Sequence, residues 1–207
     1  HEVTYARLRD MILFGHLAPG APVTIQGLIA DLGAGMTPVR EAIRRLTAEG
    51  ALLPQGNRRV AVPQLSAEML DQVAFARLAI EPNLAARAAT RLTTAQIDRL
   101  QAIDAKVNRA IDSGNLPDYL AANHAFHFAL YEAADAPVLL DLARSLWLRA
   151  GPSLRAVIDR YGRETAPDLH REALAAMRAG DAKALAAAIE RDIQQGVEHV
   201  RQALAEA

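Results

Sequence analysis

Cysteine is absent from the 207-residue chain. Its absence excludes disulfides, thiolate zinc sites and cysteine nucleophiles, and it fits a reducing, cytoplasmic setting. Aromatic residues are scarce at 4%, which speaks for packed helices over a β-sandwich. No apolar run approaches the length of a membrane span and no secretory leader is visible, so no membrane partner is expected. Neither sign of charge dominates, since the net charge is −1. What is present is ordinary for a globular protein: 51% hydrophobic and 23% charged residues. The length suits one large domain or two small ones.

The charge becomes informative when the chain is divided. Residues 1–63 carry seven Arg against five Asp or Glu. The remainder carries the acidic excess. That asymmetry has the sign expected of an N-terminal nucleic-acid module.

Hydrophobic periodicity divides the chain at the same place. Val3, Ala6, Leu8, Ile12 and Leu13 give residues 2–15 helical spacing, stopped by Pro19-Gly20. Thr24 can cap a second helix that carries Ile25, Leu28, Ile29 and Leu32 on one face. After Gly33-Ala34-Gly35, Thr37-Pro38 reads as an N-cap followed by Pro at the first helical position. That third helix runs to about Glu49, with Val39, Ala42, Ile43 and Leu46 inward. Leu52-Leu53-Pro54 and Val60-Ala61-Val62 flank a polar tip containing Arg58 and Arg59, which predicts a two-stranded hairpin. Helix, helix, turn, helix, hairpin is the order of a winged helix-turn-helix. Pro63 to Ser66 is the expected linker. Helices are then predicted over 66–89, with Pro82 as a kink, and over 94–114, 117–134, 137–161, 167–179 and 182–205, with Gly180-Asp181 as a tight turn. The expected architecture is mainly α: residues 1–63 form a DNA-binding unit and residues 64–207 an all-helical effector-binding and dimerisation domain.

The inward stripe of the third helix leaves Thr37, Arg40, Glu41 and Arg44 near the opposite face. A helix in the major groove presents its first turns to base edges. Arg can bond two acceptors of guanine, and Thr or a helix N-terminus can hold a phosphate. Arg58 and Arg59 are placed to reach a neighbouring phosphate or the minor groove. The competing reading is a solvated helix face with an ion pair between Arg45 and Glu49. The short helix before and the basic hairpin after favour DNA.

Leu17-Ala18-Pro19-Gly20, Thr37-Pro38-Val39-Arg40-Glu41-Ala42-Ile43 and Glu49-Gly50 together resemble the winged helix-turn-helix of GntR-type regulators. The resemblance implies operator contacts from Thr37 and Arg40, with help from Arg44 and the wing. Gln26 stands where many relatives have Arg, Gly35 and Met36 replace Ser and a basic residue, and Arg59 replaces the usual wing glycine. The second half resembles the FadR-like branch, whose effector domain is all-helical (FCD). The matching segments are Arg77 to Pro82 with Leu84-Ala85-Ala86, Asn123-His124-Ala125-Phe126-His127, and His170 with Gly180-Asp181.

Spacing alone gathers possible ligands. Asn123 and His127 are four apart and share a helix face. His170 and Asp192 stand 10 and 11 residues from the Gly180-Asp181 turn on either side. An antiparallel helix pair would set both ~15 Å from the bend. One amide oxygen, two imidazoles and one carboxylate suit zinc, nickel or manganese. The resemblance implies a metal held by Asp or Asn and three His, with Asp192 in the last His position. The alternative is a pair of hydrogen-bonded core histidines with Asp192 on the surface.

The resemblance also implies a small organic-acid effector. Arg77 is the leading anchoring cation, with Arg149 and Arg155 behind it, Glu81 beside it and Trp147 as a lining residue. Arg77 and Glu81 are equally readable as an i,i+4 ion pair. The combined expectation is a homodimeric DNA-binding transcription regulator, a repressor by family habit, on a two-fold double-stranded operator. Two rivals remain open. One is a metal-dependent enzyme using His127, His170 and Asp192, and the other is a winged helix that binds protein.

Overall fold

The computed structural model describes residues 1–161 and 169–205, with 152–161 described through their backbone alone. Two compact units emerge: His1–Ser66 with Trp147–Arg155, and Ala67–Leu146 with Ala156–Ala207.

The first unit contains α1 (Glu2–Leu13), β1 (Pro22–Thr24), α2 (Ile25–Leu32), α3 (Met36–Ala48), β2 (Leu53–Gln55) and β3 (Arg59–Ala61). Leu8, Ile12, Leu28, Leu32, Val39, Ala42 and Leu46 are buried, so the helical stripes meet in one core. Thr24 caps α2 by accepting the Gly27 N–H at 2.9 Å, which satisfies one of the orphan donors at a helix start. The end of α3 differs from expectation. Gly35, not Thr37, is its N-cap, because the Gly35 carbonyl already accepts the Val39 N–H at 3.3 Å. Thr37 is thereby the second helical residue and has no capping duty. Pro38 becomes the third, still among the first four positions, whose N–H groups have no intrahelical partner.

The hairpin gains a strand. The sheet order is β1-β3-β2, antiparallel throughout. Val23 faces Val60 across β1–β3, and Pro54 faces Val60 across β2–β3. Pro54 is tolerated because β2 is an edge strand.

The second unit is helical among its described residues: α4 (Ala67–Ala89), α5 (Thr94–Asp112), α6 (Leu116–Glu132), α8 (Leu169–Ala179) and α9 (Ala182–Ala205). A further helix, α7 (Pro137–Tyr161), contributes residues to both units. The expected start of α8 at Pro167 lies outside the described residues. Helix α4 packs on α9 and α6, α5 on α6 and α8, and α8 on α9. Leu84, Leu100, Phe126, Leu130, Leu185 and Ile189 are each at most 1% exposed. Burying each contributes about 1.5–3 kcal/mol. Helix α4 runs unbroken through Pro82, which lacks the N–H that a helix interior would use. Between α8 and α9, Gly180 adopts φ 65° and Asp181 accepts the Ala184 N–H at 2.9 Å. A left-handed glycine followed by a carboxylate cap folds the two helices back on each other. No helix among the described residues is long and apolar enough to cross a membrane.

Candidate nucleic-acid interface and metal centre

Thr37, Arg40 and Arg44 are exposed on α3, away from buried Val39, Ala42 and Leu46. Gln26 is exposed in the first turn of α2, and Arg58 and Arg59 are exposed at the hairpin end. The hairpin tip is held by backbone geometry. Asn57 and Arg58 adopt φ 61° and 57°, a left-handed pair that turns the chain within three residues. The Arg58 carbonyl accepts the Ile25 N–H at 3.2 Å, so the tip is tied to the residue next to Gln26. On α3, Glu41 accepts from Arg44 Nη2 at 2.6 Å and from Nε at 3.0 Å. The Arg44 hydrogen bonds hold the Glu41 carboxyl below its ordinary value.

The ion pair weighed between Arg45 and Glu49 is replaced by longer-range partners. Arg45 meets Glu2 at 2.7 Å and lies 3.7 Å over the Tyr5 ring. Glu49 accepts the Tyr5 hydroxyl at 2.9–3.0 Å. Burial, then the Glu49 hydrogen bond, pushes the Tyr5 phenol up to about 12. Gly50 has φ 75°, and a Cβ there would lie 2.8 Å from Arg149 Nη1. Arg149 Nη2 donates to the Glu49 carbonyl at 2.9 Å. The Glu49-Gly50 pair thus anchors α1, turns the chain and admits Arg149.

In the second unit, α6, α8 and α9 bring His127, His170 and Asp192 together. One potential ligand atom from each lies within 4.8 Å of the others. His127 is fully buried, His170 nearly so, and the Asp192 side chain is 23% exposed. The closest approach is His127 Nε2 to Asp192 Oδ2 at 3.1 Å. The two rings meet edge to face with centroids 5.3 Å apart, and Phe126 stacks on His170 at 3.9 Å. Asn123 is half-buried one turn before His127 on α6.

Each imidazole has its other nitrogen engaged. His170 Nδ1 lies 2.9 Å from Asp104 Oδ1, and Asn108 donates to Asp104 Oδ2 at 3.2 Å. His127 Nδ1 lies 3.1 Å from the Tyr131 hydroxyl, which donates to Glu81 Oε2 at 2.7 Å. Glu81 in turn pairs with Arg77, Nε to Oε1 at 2.6 Å and Nη2 to Oε2 at 3.3 Å. Burial and Glu81 together push the Tyr131 phenol well above its ordinary value. Burial would also raise Asp192, but His127, His170 and Arg77 bring its carboxyl below the ordinary range.

The donor set fits a divalent cation. A neutral His127 protonated on Nδ1 turns a lone pair from Nε2 towards a carboxylate oxygen at 3.1 Å. Two acceptors in contact need a proton or a cation between them. An oxygen partner behind each imidazole is what metal-bound histidines have. Sequence reasoning placed His127, His170 and Asp192, and missed Tyr131 and Asp104. Tyr131 carried one usable signal, its i+4 spacing from His127. Asp104 carried none, since a lone Asp on an amphipathic helix reads as surface.

The residues expected to bind effector divide. Arg77 and Glu81 are buried at 6% and 0% exposure and form the ion pair that was the second reading of their spacing. Trp147 and Arg149 belong to the first unit, Trp147 buried and Arg149 engaged with Glu49. The side chain of Arg155 lies outside the described residues.

Comparison with known proteins places both halves. Residues 1–62 match the model for bacterial regulatory proteins of the gntR family, and residues 72–195 match the FCD domain. The chain is 29% identical to the HTH-type transcriptional regulator McbR of Escherichia coli over 92% of its own length and 87% of McbR. It is 26% identical to the E. coli HTH-type transcriptional repressor RspR over 98% and 89%. The solved structure of McbR superposes with a TM-score of 0.90 at 27% identity, covering 96% of this chain and 95% of that one. A regulator from Rhodococcus sp. RHA1 shares the fold at a TM-score of 0.76 and 21% identity, over 96% and 95%. These relatives are transcription regulators, not enzymes. The chain belongs to the gntR family of bacterial regulatory proteins, in the FadR-like branch that joins a winged helix-turn-helix to an FCD domain.

Proposed function

We propose that this protein is a homodimeric repressor whose operator affinity is set by a small carboxylate bound at a divalent metal in its helical domain. Residues 1–63 supply the DNA-reading surface and residues 64–207 the sensor and dimer contacts. Arg40 and Thr37 face the major groove from the first turns of α3, with Gln26 and Arg44 flanking them. Arg58 and Arg59 contact phosphate or the minor groove. His127, His170 and Asp192 hold zinc, nickel or manganese, with Asn123 as a fourth ligand through its amide oxygen.

The observation that carries the sensor reading is the 3.1 Å contact between His127 Nε2 and Asp192 Oδ2. Bound metal would supply Lewis-acid affinity for a carboxylate oxygen. The partial exposure of Asp192 gives the site an open side, whereas both imidazoles are closed off. Effector binding shifts the population of domain arrangements only in so far as it binds one arrangement more tightly.

Elemental analysis of the purified full chain tests the metal, with about one equivalent expected. A parent protein without metal that also fails to take up zinc refutes it. Arg40→Ala tests the reader. A lost bidentate guanine contact costs about 1–3 kcal/mol, roughly 5- to 150-fold in specific affinity. Unchanged operator affinity would remove Arg40 from the interface.

A further inference from the structure

We propose that Tyr131, backed by the buried Arg77–Glu81 pair, is the positioning residue that makes His127 present Nε2 towards Asp192. The inference rests on the metal reading above for its consequence, and on the geometry around His127 for its substance.

The direction of each hydrogen bond follows from what each group can do. Arg77 has only donors, and Glu81, paired with it through two nitrogens, accepts. The Tyr131 hydroxyl has one proton, and it goes to Glu81 Oε2 at 2.7 Å. The hydroxyl oxygen is then an acceptor for His127, and Nδ1 stands 3.1 Å away. Nδ1 must carry a proton to complete that bond. In the neutral ring the lone pair is therefore on Nε2, the atom that faces Asp192 at 3.1 Å. Tyr131, Glu81 and His127 are all fully buried, so water does not compete for these bonds. A ring flip would place a carbon edge against the hydroxyl and lose the Nδ1 bond.

The arrangement assigns chemistry to two residues that the sequence offers as effector anchors. Arg77 and Glu81 act from behind His127, through Tyr131, and not on a ligand. His170 is oriented in the same way by a different device, Asp104 accepting from Nδ1 at 2.9 Å. In both rings Nδ1 is the nitrogen engaged by an oxygen, a carboxylate for His170 and a hydroxyl for His127.

Tyr131→Phe in the full chain removes the oxygen and keeps the buried ring and the Arg77–Glu81 pair. Long-range proton–nitrogen NMR of the metal-free parent, at a pH where the imidazole is neutral, should show His127 protonated on Nδ1. The variant should shift towards the Nε2-protonated form. Zinc affinity, measured by competition with a chelator, should fall about 10- to 100-fold in the variant. Asp104→Asn serves as a control that leaves the His127 tautomer in place. An Nε2-protonated His127 in the parent overturns the proposal even if Tyr131→Phe does not fold. Unchanged tautomer and unchanged zinc affinity in a folded Tyr131→Phe also overturn it. A parent that binds no zinc refutes the metal reading instead, and the tautomer measurement then decides this one.

Discussion

Asp192 is a carboxylate whose surroundings pull in two directions. Burial favours its neutral form, while His127 and His170 as imidazolium ions, with Arg77, favour its charged form and prevail, leaving the carboxyl below its ordinary value. A depressed folded-state value contributes stability that is fully present above the unfolded carboxylate value. That stability is lost as pH falls through the lower folded value. Metal-free protein should therefore lose stability on acidification from about pH 5 downwards. Asp192→Asn should have the flatter acid limb in urea midpoints taken across that window. An equally steep limb in the variant would mean that Asp192 gains nothing from the two imidazoles. The same residue shows what a sequence can reveal about a site. His170 and Asp192 are related through one turn and two regular helices, so counting residues suffices to set them level. Tyr131 and Glu81 meet across α6 and α4, 50 positions apart, and nothing in either segment marks the other as its partner.

Among the helices, period was enough wherever an apolar stripe repeated for three turns or more, and the bundle was legible on that basis. The strand β1 was not, because three residues with one inward side chain carry no period. The start of α3 departs from its sequence pattern: Thr-Pro satisfies the usual cap signature, whereas the hydrogen-bond ladder begins two residues earlier at Gly35. Glycine in two elements gives opposite predictions. Gly50, just beyond α3, has φ 75° and Arg149 within 3 Å of any added Cβ. Gly50→Ala should cost about 1–2 kcal/mol for the left-handed backbone alone, and more if Arg149 cannot shift. Gly196 lies inside α9 with open space where its Cβ would be. Gly196→Ala should stabilise by about 0.5–1 kcal/mol. Chemical denaturation of the two variants reads both, and equal signs would contradict the helix-end geometry assigned to Gly50.

At the scale of the whole molecule, a net charge of −1 gives DNA no long-range attraction, so binding must come from the local surface. Arg58 and Arg59 stand together at a hairpin tip tied to the start of α2, and Arg40 projects from α3. These residues should differ in how they respond to salt. A phosphate contact releases counterions, and each one adds about −0.9 to the slope of log affinity against log salt. Removing Arg58 should make that slope shallower by about 1 for a monomer on one site and by about 2 for a two-fold dimer. Arg40→Ala should lower specific affinity with little change in slope, because a base contact replaces hydrogen bonds to water more than it displaces ions. Titrations of the full chain against its operator at several salt concentrations separate the outcomes. The full chain is required, since residues 147–155 are part of the unit that carries α3. A slope change near 1 for Arg58→Ala would exclude two equivalent wings on the operator, and with them the two-fold dimer. No change would place Arg58 off the phosphate backbone and leave Arg59 as the remaining basic residue of the hairpin.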